Sequence, residues 1–144
     1  MSWLVTGGAG YIRSHVVRAL VAAGRDVVVV DDLSSGRADR VPDDVPLVRA
    51  NVLETPLLTR LLVREHVTGV VHLAAKKAVA DSMVHPLHYY RENVGGFQSL
   101  LEACVAAGVG RVVLSSSAAV YGSTAETWLT EDSATDPANP YGAS

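Results

Sequence analysis

The sequence has 144 residues, the size of one ordinary domain, and 49% of them are hydrophobic, which excludes a disordered chain. A net charge of −3 gives no electrostatic support for a nucleic-acid partner, and no apolar run approaches the roughly 20 residues that cross a membrane. The only cysteine, Cys104, excludes an internal disulfide and fits a reducing compartment, so we expect a cytoplasmic protein.

Apolar segments of two kinds alternate along the chain. Short β-branched runs, of which "VVVV" at 27–30 is the clearest, predict strands that are buried on both faces. Longer segments with apolar residues every three or four positions predict amphipathic helices. The predicted elements, in chain order, are a strand at 3–5, a helix at 11–23, strands at 26–30 and 46–49, a helix from 55 to about 65, a strand at 69–73, a helix at 86–107 and a strand at 111–115.

The long helix at 86–107 carries one continuous apolar stripe, which predicts the side that faces the core. The stripe consists of Leu87, Tyr90, Val94, Phe97, Leu101 and Cys104. We therefore expect Cys104 to be a buried and inert thiol. His85 and His88 lie near the start of the helix at helical spacing. With no third ligand nearby, they predict surface histidines and no metal site.

The alternation of strands and helices predicts parallel strands, with right-handed crossover helices on both faces of one open sheet. The predicted fold class is therefore α/β, a doubly wound parallel sheet. Ligands of such sheets bind at the carboxyl ends of the strands, where the polar and Gly-rich segments lie. Because residues 123–139 are turn-rich and a further helix begins after them, we expect 1–144 to be one incomplete domain.

The first predicted turn, "TGGAG" at 6–10, has the spacing of a phosphate-binding loop. Gly7 permits a tight turn, and Gly10 permits close approach of a phosphate to the first helix. Asp31 and Asp32 follow about 20 residues later, where a carboxylate binds the adenosine ribose and repels a 2′-phosphate. Together these features predict a site for NAD rather than NADP. A packing turn beside a solvated acidic loop is the alternative.

Gly7 and Gly10 are three residues apart, and Arg13 lies three residues further on, where the motif has its third glycine. Glycine at this position lets the first helix pack closely against the sheet. An arginine must therefore push the helix away or extend its side chain toward the phosphates. Because an unpaired buried charge is costly, we expect a damaged site. Replacing Arg13 by glycine is then expected to raise both NAD affinity and stability.

Three serines at 115–117 follow the last predicted strand, and Tyr141 lies in "NPYGAS" at 139–144. A serine beside a tyrosine relays protons when a neighbouring cation lowers the phenol pKa from its usual value of about 10. On the residues alone, serines at a strand end are more often turn and cap residues, and a tyrosine after proline is more often a packed aromatic side chain. Both interpretations stay open on the residues alone.

Taken together, the motifs and their order resemble the extended short-chain dehydrogenase/reductases and, within them, the UDP-glucose 4-epimerase family. The resemblance runs from the first strand to the last residue. The segments that carry it are TGGAGYI at 6–12, DDL at 31–33, HLAA at 72–75, SSS at 115–117, VYG at 120–122 and NPYG at 139–142. The resemblance implies a Rossmann-type NAD-binding domain, truncated before its substrate domain.

The resemblance implies NAD contacts for most residues at the strand ends. The backbone of Tyr11 and Ile12 would meet the pyrophosphate, and Asn51 and Val52 would face adenine. The family usually has aspartate at position 51, but an asparagine oxygen would still accept a hydrogen bond. Asn93 would support the proton relay. The remaining implied contacts are Asp31, Asp32, Leu33, Ser34, Ser35 and Gly36 around the ribose, and Leu73, Ala74, Ala75 and Lys77 along the cofactor.

The resemblance also implies the interconversion of UDP-galactose and UDP-glucose. Tyr141 would take the proton of the sugar 4-hydroxyl with the help of Ser117, while NAD takes up and returns a hydride through a 4-keto sugar. Related dehydratases have an acidic pair where this sequence has Ala118 and Ala119, which favours an epimerase.

Two alternatives stay open: another NAD-dependent nucleotide-sugar epimerase or dehydratase, and a catalytically silent NAD-binding module. The family has a lysine four positions after its tyrosine, followed by a half that binds the UDP-sugar. Both fall beyond Ser144, so the 144 residues alone are expected to be inactive. The family also forms dimers through the helix equivalent to 86–107, which makes a homodimer a further expectation.

Overall fold

A computed structural model describes residues 1–124 and 128–144. Five parallel strands form one sheet in the spatial order β3-β2-β1-β4-β5. The strands are β1 (Ser2–Thr6), β2 (Asp26–Asp31), β3 (Leu47–Arg49), β4 (Val67–His72) and β5 (Val112–Leu114). The chain begins in the middle of the sheet and winds first to one edge and then to the other. The predicted doubly wound parallel sheet is confirmed.

The helices of the described residues follow the strands in sequence. They are α1 (Tyr11–Ala22), α2 (Thr55–Arg64), α3 (Val79–Val84), α4 (Pro86–Tyr89), α5 (Gly96–Ala107) and α6 (Pro140–Ala143). A π-helical turn, Tyr90–Gly95, joins α4 directly to α5, and 3-10 turns lie at Ala38–Arg40 and Ala118–Tyr121. Among the described residues, no helix has the length and apolar character needed to cross a membrane.

An apolar layer on each face of the sheet holds the domain together. β2 contributes alternate side chains to both layers, as the pleat of a strand requires. Val28 and Val30 pack with α2 and α5, whereas Val27 and Val29 pack with α1. All four valines are buried, so the prediction for the "VVVV" run is confirmed. Cys104 is buried on α5 as expected, and burial raises the pKa of its thiol.

The boundaries of several elements differ from the prediction. The sequence pattern misses α3, because its six residues are too few for a hydrophobic period to be recognised and its buried residue is Ser82. The residue that caps α2 is Glu54, whose carbonyl accepts hydrogen bonds from the N–H groups of Leu57 and Leu58. The predicted continuous helix at 86–107 contains the π-helical turn, which hydrophobic spacing does not reveal.

The predicted core stripe of the long helix is largely wrong. Leu87 is 82% exposed, and Tyr90, Val94 and Leu101 are also exposed to solvent. The side that is buried consists of Tyr89, Asn93, Gly96, Leu100, Ala103 and Cys104. Hydrophobic spacing misses this side because it includes an asparagine and a glycine. The apolar stripe therefore lies mostly on the surface of the domain.

The sheet topology also creates a cleft. The segments that leave β1 and β4 turn to opposite faces of the sheet, and the cleft opens between them at the carboxyl ends of these strands. The Gly-rich turn at 7–10 follows β1, and a loop at 73–78 follows β4. These two segments form the walls of the candidate site.

Candidate functional site

The Gly-rich turn adopts a conformation that requires glycine. Gly7 has a left-handed φ of +71°, and a Cβ on it would lie 2.9 Å from the Ala74 Cα. The Gly7 N–H donates to the Val30 carbonyl at 2.6 Å, and the Gly10 N–H donates to the Gly7 carbonyl at 3.1 Å. The turn is therefore attached to β2 and packed against the loop after β4. It leads directly into α1, for which Gly10 is the N-terminal cap.

Asp31 joins this turn to the loop after β2. Its Oδ2 accepts the Ala9 N–H at 2.9 Å, and its Oδ1 accepts the Leu33 N–H at 2.8 Å. Asp31 is only 6% exposed, and Gly36 packs against it and against Ala9. Each carboxylate oxygen has a second lone pair, so Asp31 can also accept the hydroxyl groups of a ribose.

A narrow pocket, the β2-side pocket, lies between the ends of β1, β2, β3 and β4. It is lined by Gly7, Arg13, Val30, Asp31, Asp32, Ser34, Ser35, Asn51, Val52, Ala74, Ala75, Lys76 and Glu92. The pocket encloses about 40 Å³, which is room for a few waters and not for a nucleoside. The long side chains of Arg13 and Lys76 would have to move for a larger ligand to enter.

Lys76 is the cation of the β2-side pocket that the sequence analysis did not identify. Its Nζ donates to Ser34 Oγ at 2.9 Å and lies 3.8 Å from Asp32 Oδ2. Burial acts to raise the pKa of Asp32, but hydrogen bonds from Ser34 and the charges of Lys76 and Arg13 outweigh it and hold that pKa below its usual value. Lys77, the lysine that the resemblance selects, is exposed and lies along a different groove.

Asn51 has both ends of its amide already bonded. Its Oδ1 accepts the Leu53 N–H at 2.9 Å, and its Nδ2 donates to Glu92 Oε2 at 3.0 Å. The reverse orientation would place Nδ2 against an N–H group and Oδ1 against a carboxylate, so the hydrogen-bond network fixes the amide. The oxygen that we expected to accept a hydrogen bond from adenine is thus engaged with the backbone of Leu53.

Arg13 extends across the Gly-rich turn. A Cβ on Gly10 would lie 2.7 Å from Arg13 Cδ, and Arg13 Nη2 donates to the Ala75 carbonyl at 3.3 Å. Burial lowers the pKa of the guanidinium, while the charges of Asp31 and Asp32 act in the opposite direction. Of the two predicted alternatives, the extended side chain is the one observed. It occupies the concave side of the turn.

A second pocket, the β5-side pocket, lies on the other side of Arg13. It has a volume of about 310 Å³, within the range of small-molecule sites. It is lined by His72, Leu73, Ala74, Ala75, Asn93, Val94, Phe97, Leu114, Ser115, Ser116, Ser117, Val120, Tyr141, Gly142 and Ser144. An adjoining groove adds Gly10, Tyr11, Ile12, Arg13 and Lys77. The structure therefore brings Ser117 and Tyr141 together in one pocket.

Side-chain caps fix the segments that carry these two residues. Ser117 Oγ accepts the Ala119 N–H at 3.2 Å and starts the 3-10 turn. Asn139 Oδ1 accepts the Gly142 N–H at 2.9 Å and starts α6, which carries Tyr141. The serine that resembled a turn residue is thus a cap and also lines the pocket.

Two side chains of the long helix hold the loop after β4. Asn93 Oδ1 accepts the Lys76 N–H at 2.8 Å, and Asn93 Nδ2 donates to the Lys76 carbonyl at 3.1 Å and to Ser144 Oγ at 2.9 Å. The Tyr89 hydroxyl donates to the Ala78 carbonyl at 2.9 Å and accepts the Ala78 N–H at 3.1 Å. Asn93 is therefore a positioning residue. No sequence pattern indicates this role of Tyr89, because a buried tyrosine usually indicates only packing.

His72 lies beneath the cleft in a fixed neutral form. Thr6 Oγ1 accepts the N–H groups of Leu73 at 3.2 Å and Ala74 at 3.3 Å, so its own proton is directed to His72 Nδ1 at 2.7 Å. The ring stacks on Phe97 and is 3% exposed. Burial lowers the pKa of His72 to about 4, and the charge of Arg13 contributes in the same direction.

The two histidines at the start of the long helix lie apart from the cleft residues. His85 Nδ1 is 3.1 Å from Asp81 Oδ1, and the His88 ring contacts Tyr89 edge-on. Within the ranges 1–124 and 128–144, no three histidine, cysteine or acidic side chains are grouped as metal ligands.

Comparison with known proteins finds relatives along the whole chain. A model of the NAD dependent epimerase/dehydratase family matches residues 3–144. A UDP-glucose 4-epimerase of Azospirillum brasilense is 49% identical over 98% of this chain. The crystal structure of a Brucella ovis UDP-glucose 4-epimerase in complex with NAD is 39% identical with a TM-score of 0.94 and covers 99% of this chain.

A third relative is a UDP-glucose 4-epimerase of Stenotrophomonas maltophila, solved with bound NAD and formylated UDP-arabinopyranose. It is 37% identical, with a TM-score of 0.95 over 99% of this chain. The chain spans 40% of the length of the Azospirillum protein and 43% and 45% of the two solved chains.

We predict that His72 makes stability depend on pH in the acidic range. Between the ordinary pKa of 6.5 and the native value of about 4, the unfolded chain binds a proton that the native state does not. Stability is therefore full above 6.5 and falls as the pH decreases toward 4. The free energy of unfolding should drop by about 2 kcal/mol between about pH 7.5 and about pH 5 through this residue. Urea denaturation over that range measures the drop.

The His72→Asn variant should lack this component, because an amide oxygen can accept the Thr6 proton and does not titrate. His66→Asn is the matched control: His66 has a left-handed φ of 48°, which asparagine tolerates, and this variant should keep the pH dependence of the wild type. Equal pH slopes in His72→Asn and the wild type would contradict the assignment.

Proposed function

Because the chain belongs to the NAD dependent epimerase/dehydratase family, we propose that it is the NAD-binding part of a UDP-glucose 4-epimerase. Residues 1–144 form one domain in this proposal, and the β2-side and β5-side pockets together take the cofactor. UDP-sugars are the proposed substrate class. The named relatives are UDP-glucose 4-epimerases, and one of them binds a UDP-sugar beside NAD.

The observation that carries this proposal is the arrangement of the cleft. A glycine turn at a helix N-terminus, a buried carboxylate at the end of β2, and a serine with a tyrosine at the end of β5 all lie along one opening. The glycine turn suits a pyrophosphate, and the buried carboxylate suits a ribose. Asp31 favours NAD over NADP, since a 2′-phosphate would meet a carboxylate that two backbone N–H groups hold in place.

The protein residues act on the sugar in the β5-side pocket. NAD, when bound, supplies the chemistry of hydride acceptance and return. Tyr141 accepts the proton of the sugar 4-hydroxyl, and Ser117 orients that hydroxyl by hydrogen bonding. After the 4-keto sugar presents its other face, Tyr141 returns the proton. Apolar neighbours such as Leu73 and Phe97 exclude water from the reacting centre.

The residues after Ser117 favour epimerisation over dehydration. Ala118 and Ala119 form the start of the 3-10 turn there, and neither can donate or accept a proton. A dehydratase needs an acid and a base at this position to eliminate water, as the sequence resemblance implies. We therefore propose epimerisation as the reaction and dehydration as the second candidate.

We also propose a homodimer that works in the cytoplasm. Four side chains of the apolar stripe are exposed on the long helix, and Val105 is exposed on the same helix. The four are Leu87, Tyr90, Val94 and Leu101. Exposed apolar patches of this kind commonly mark protein contacts. A second copy of the chain is the proposed partner. The reduced, buried thiol of Cys104 agrees with a cytoplasmic location.

NAD binding and sugar conversion test the central proposal separately. Calorimetry should show that the chain binds NAD at least about tenfold more tightly than NADP. Incubation with NAD and UDP-galactose, followed by chromatography, reports whether UDP-glucose forms. Conversion would establish epimerase activity for these 144 residues. Binding of NAD without conversion would assign them the cofactor-binding role alone, and no binding of NAD would refute the proposal.

The Arg13→Gly variant should bind NAD about tenfold more tightly than the wild type, because the guanidinium no longer occupies the turn and no hydrogen bond to Ala75 has to break. Arg18→Gly is the matched control, since Arg18 lies on α1, is exposed, and donates a hydrogen bond to the Arg40 carbonyl away from the Gly-rich turn. Both variants lose about 1 kcal/mol of helix propensity. Only Arg13→Gly removes a desolvated cation. The free energy of unfolding of Arg13→Gly should therefore be higher than that of Arg18→Gly. Unchanged or weaker NAD affinity in Arg13→Gly would contradict a clash between the guanidinium and the cofactor.

Charged substitutions on the apolar stripe should dissociate the dimer. Leu87→Glu and Val105→Glu alter side chains that are 82% and 84% exposed, so the fold of each protomer should be unaffected. Sedimentation velocity should show dimers for the wild type and monomers for these variants. Val63→Glu, at a 57% exposed position on α2, should remain dimeric. A monomeric wild type would contradict the assembly.

A further inference from the structure

The end of the β2-side pocket beyond β2, where the chain leaves the edge strand β3, is lined by Asn51 and Val52, and Glu92 contacts Asn51 there. If the chain binds NAD as proposed, the pyrophosphate lies at the turn and the ribose at Asp31. The base is attached to the far side of that ribose. It must therefore extend toward Asn51 and Glu92, which are the polar side chains at that end.

Glu92 holds the unused acceptor at this end of the pocket. Its Oε2 accepts Asn51 Nδ2 at 3.0 Å. Its Oε1 has no hydrogen-bond partner in the described part of the chain. Asn51, by contrast, already accepts the Leu53 N–H at its oxygen and donates to Glu92 from its nitrogen, so only the second lone pair of its oxygen remains. Oε1 of Glu92 is therefore the acceptor that is available to a base at this end of the pocket.

The local backbone explains why Glu92 reaches this position. It lies in the π-helical turn, Tyr90–Gly95, together with Asn93. Glu92 contacts the segment after β3 through Asn51, and Asn93 contacts the loop after β4 through Lys76. Such turns occur frequently at functional sites because they re-aim side chains within a helix. Here the turn directs two neighbouring polar residues toward two loops of the same cleft.

We propose that Glu92, held by Asn51, is the residue that recognises the exocyclic amine of adenine. The amine is a donor and a carboxylate is an acceptor only, so the pair forms a charge-assisted hydrogen bond. A base with a carbonyl at the same position would set two oxygens against each other. The pocket therefore selects adenine over hypoxanthine. The proposal rests on the proposed NAD binding and replaces Asn51, the expected adenine contact, by Glu92.

Calorimetric titration with two dinucleotides tests this assignment without any activity measurement. One is NAD, and the other is nicotinamide hypoxanthine dinucleotide, which has a carbonyl in place of the amine. The wild-type chain should bind NAD about tenfold more tightly, as loss of one hydrogen bond to a charged group implies. In Glu92→Gln the amide oxygen accepts from Asn51 and the amide nitrogen faces the base. The preference for NAD should then fall to about one or invert.

Two further variants make the result specific. Glu102→Gln is the same chemical change at an exposed position of α5, where the side chain accepts a hydrogen bond from Gln98, and it should keep the wild-type preference. Asn51→Asp places two carboxylates in contact and should weaken NAD binding about tenfold. Stronger NAD binding in Asn51→Asp would show that residue 51, and not Glu92, contacts the adenine amine.

The outcomes distinguish this proposal from the proposed function. If the wild type binds neither dinucleotide, NAD binding itself is refuted and the adenine contact with it. If the wild type binds both equally, or if Glu92→Gln keeps the preference for NAD, the adenine contact of Glu92 is refuted while NAD binding stands. Circular dichroism of each variant confirms that the compared proteins are folded.

Discussion

The buried carboxylate of Asp31 is the constraint on which the rest of the cleft depends. It accepts one backbone N–H from the turn after β1 and one from the loop after β2. These two segments would otherwise be separate loops with unsatisfied donors. Their shared acceptor fixes the distance between the start of α1 and the wall of the β2-side pocket. A substitution that removed the whole carboxylate would loosen both segments at once.

Arg13 divides this cleft into two parts of different chemistry. The β2-side pocket is narrow and strongly charged, with Asp31, Asp32 and Glu92 beside Lys76. The β5-side pocket is wider, and hydroxyl groups line it beside apolar side chains. The division matches the two ends of a dinucleotide: the adenosine end, which is only bound, and the nicotinamide end, which takes part in a reaction. The arginine lies at the point where the two ends would be joined.

Much of this structure could be predicted from the sequence, because its signals are local. The "VVVV" run predicts a strand buried on both faces, and the Gly-rich segment before the first helix predicts the tight turn at Gly7. The misses involve contacts between distant segments. The roles of Lys76 and Glu92 depend on partners in other loops, and the buried side of the long helix includes Asn93, whose polarity hydrophobic spacing cannot anticipate.

The clamps that Asn93 and Tyr89 place on the loop after β4 have a consequence for how long a ligand stays bound. Ordering one residue of a flexible backbone costs about 1–2 kcal/mol. Here that cost belongs to folding, since the helix fixes Lys76 and Ala78 through both their N–H and carbonyl groups. A preorganised loop does not have to order itself around a ligand, and its relaxation does not assist release. In the proposed epimerase, the fold thus favours a long residence time for NAD, which that reaction would regenerate in every cycle.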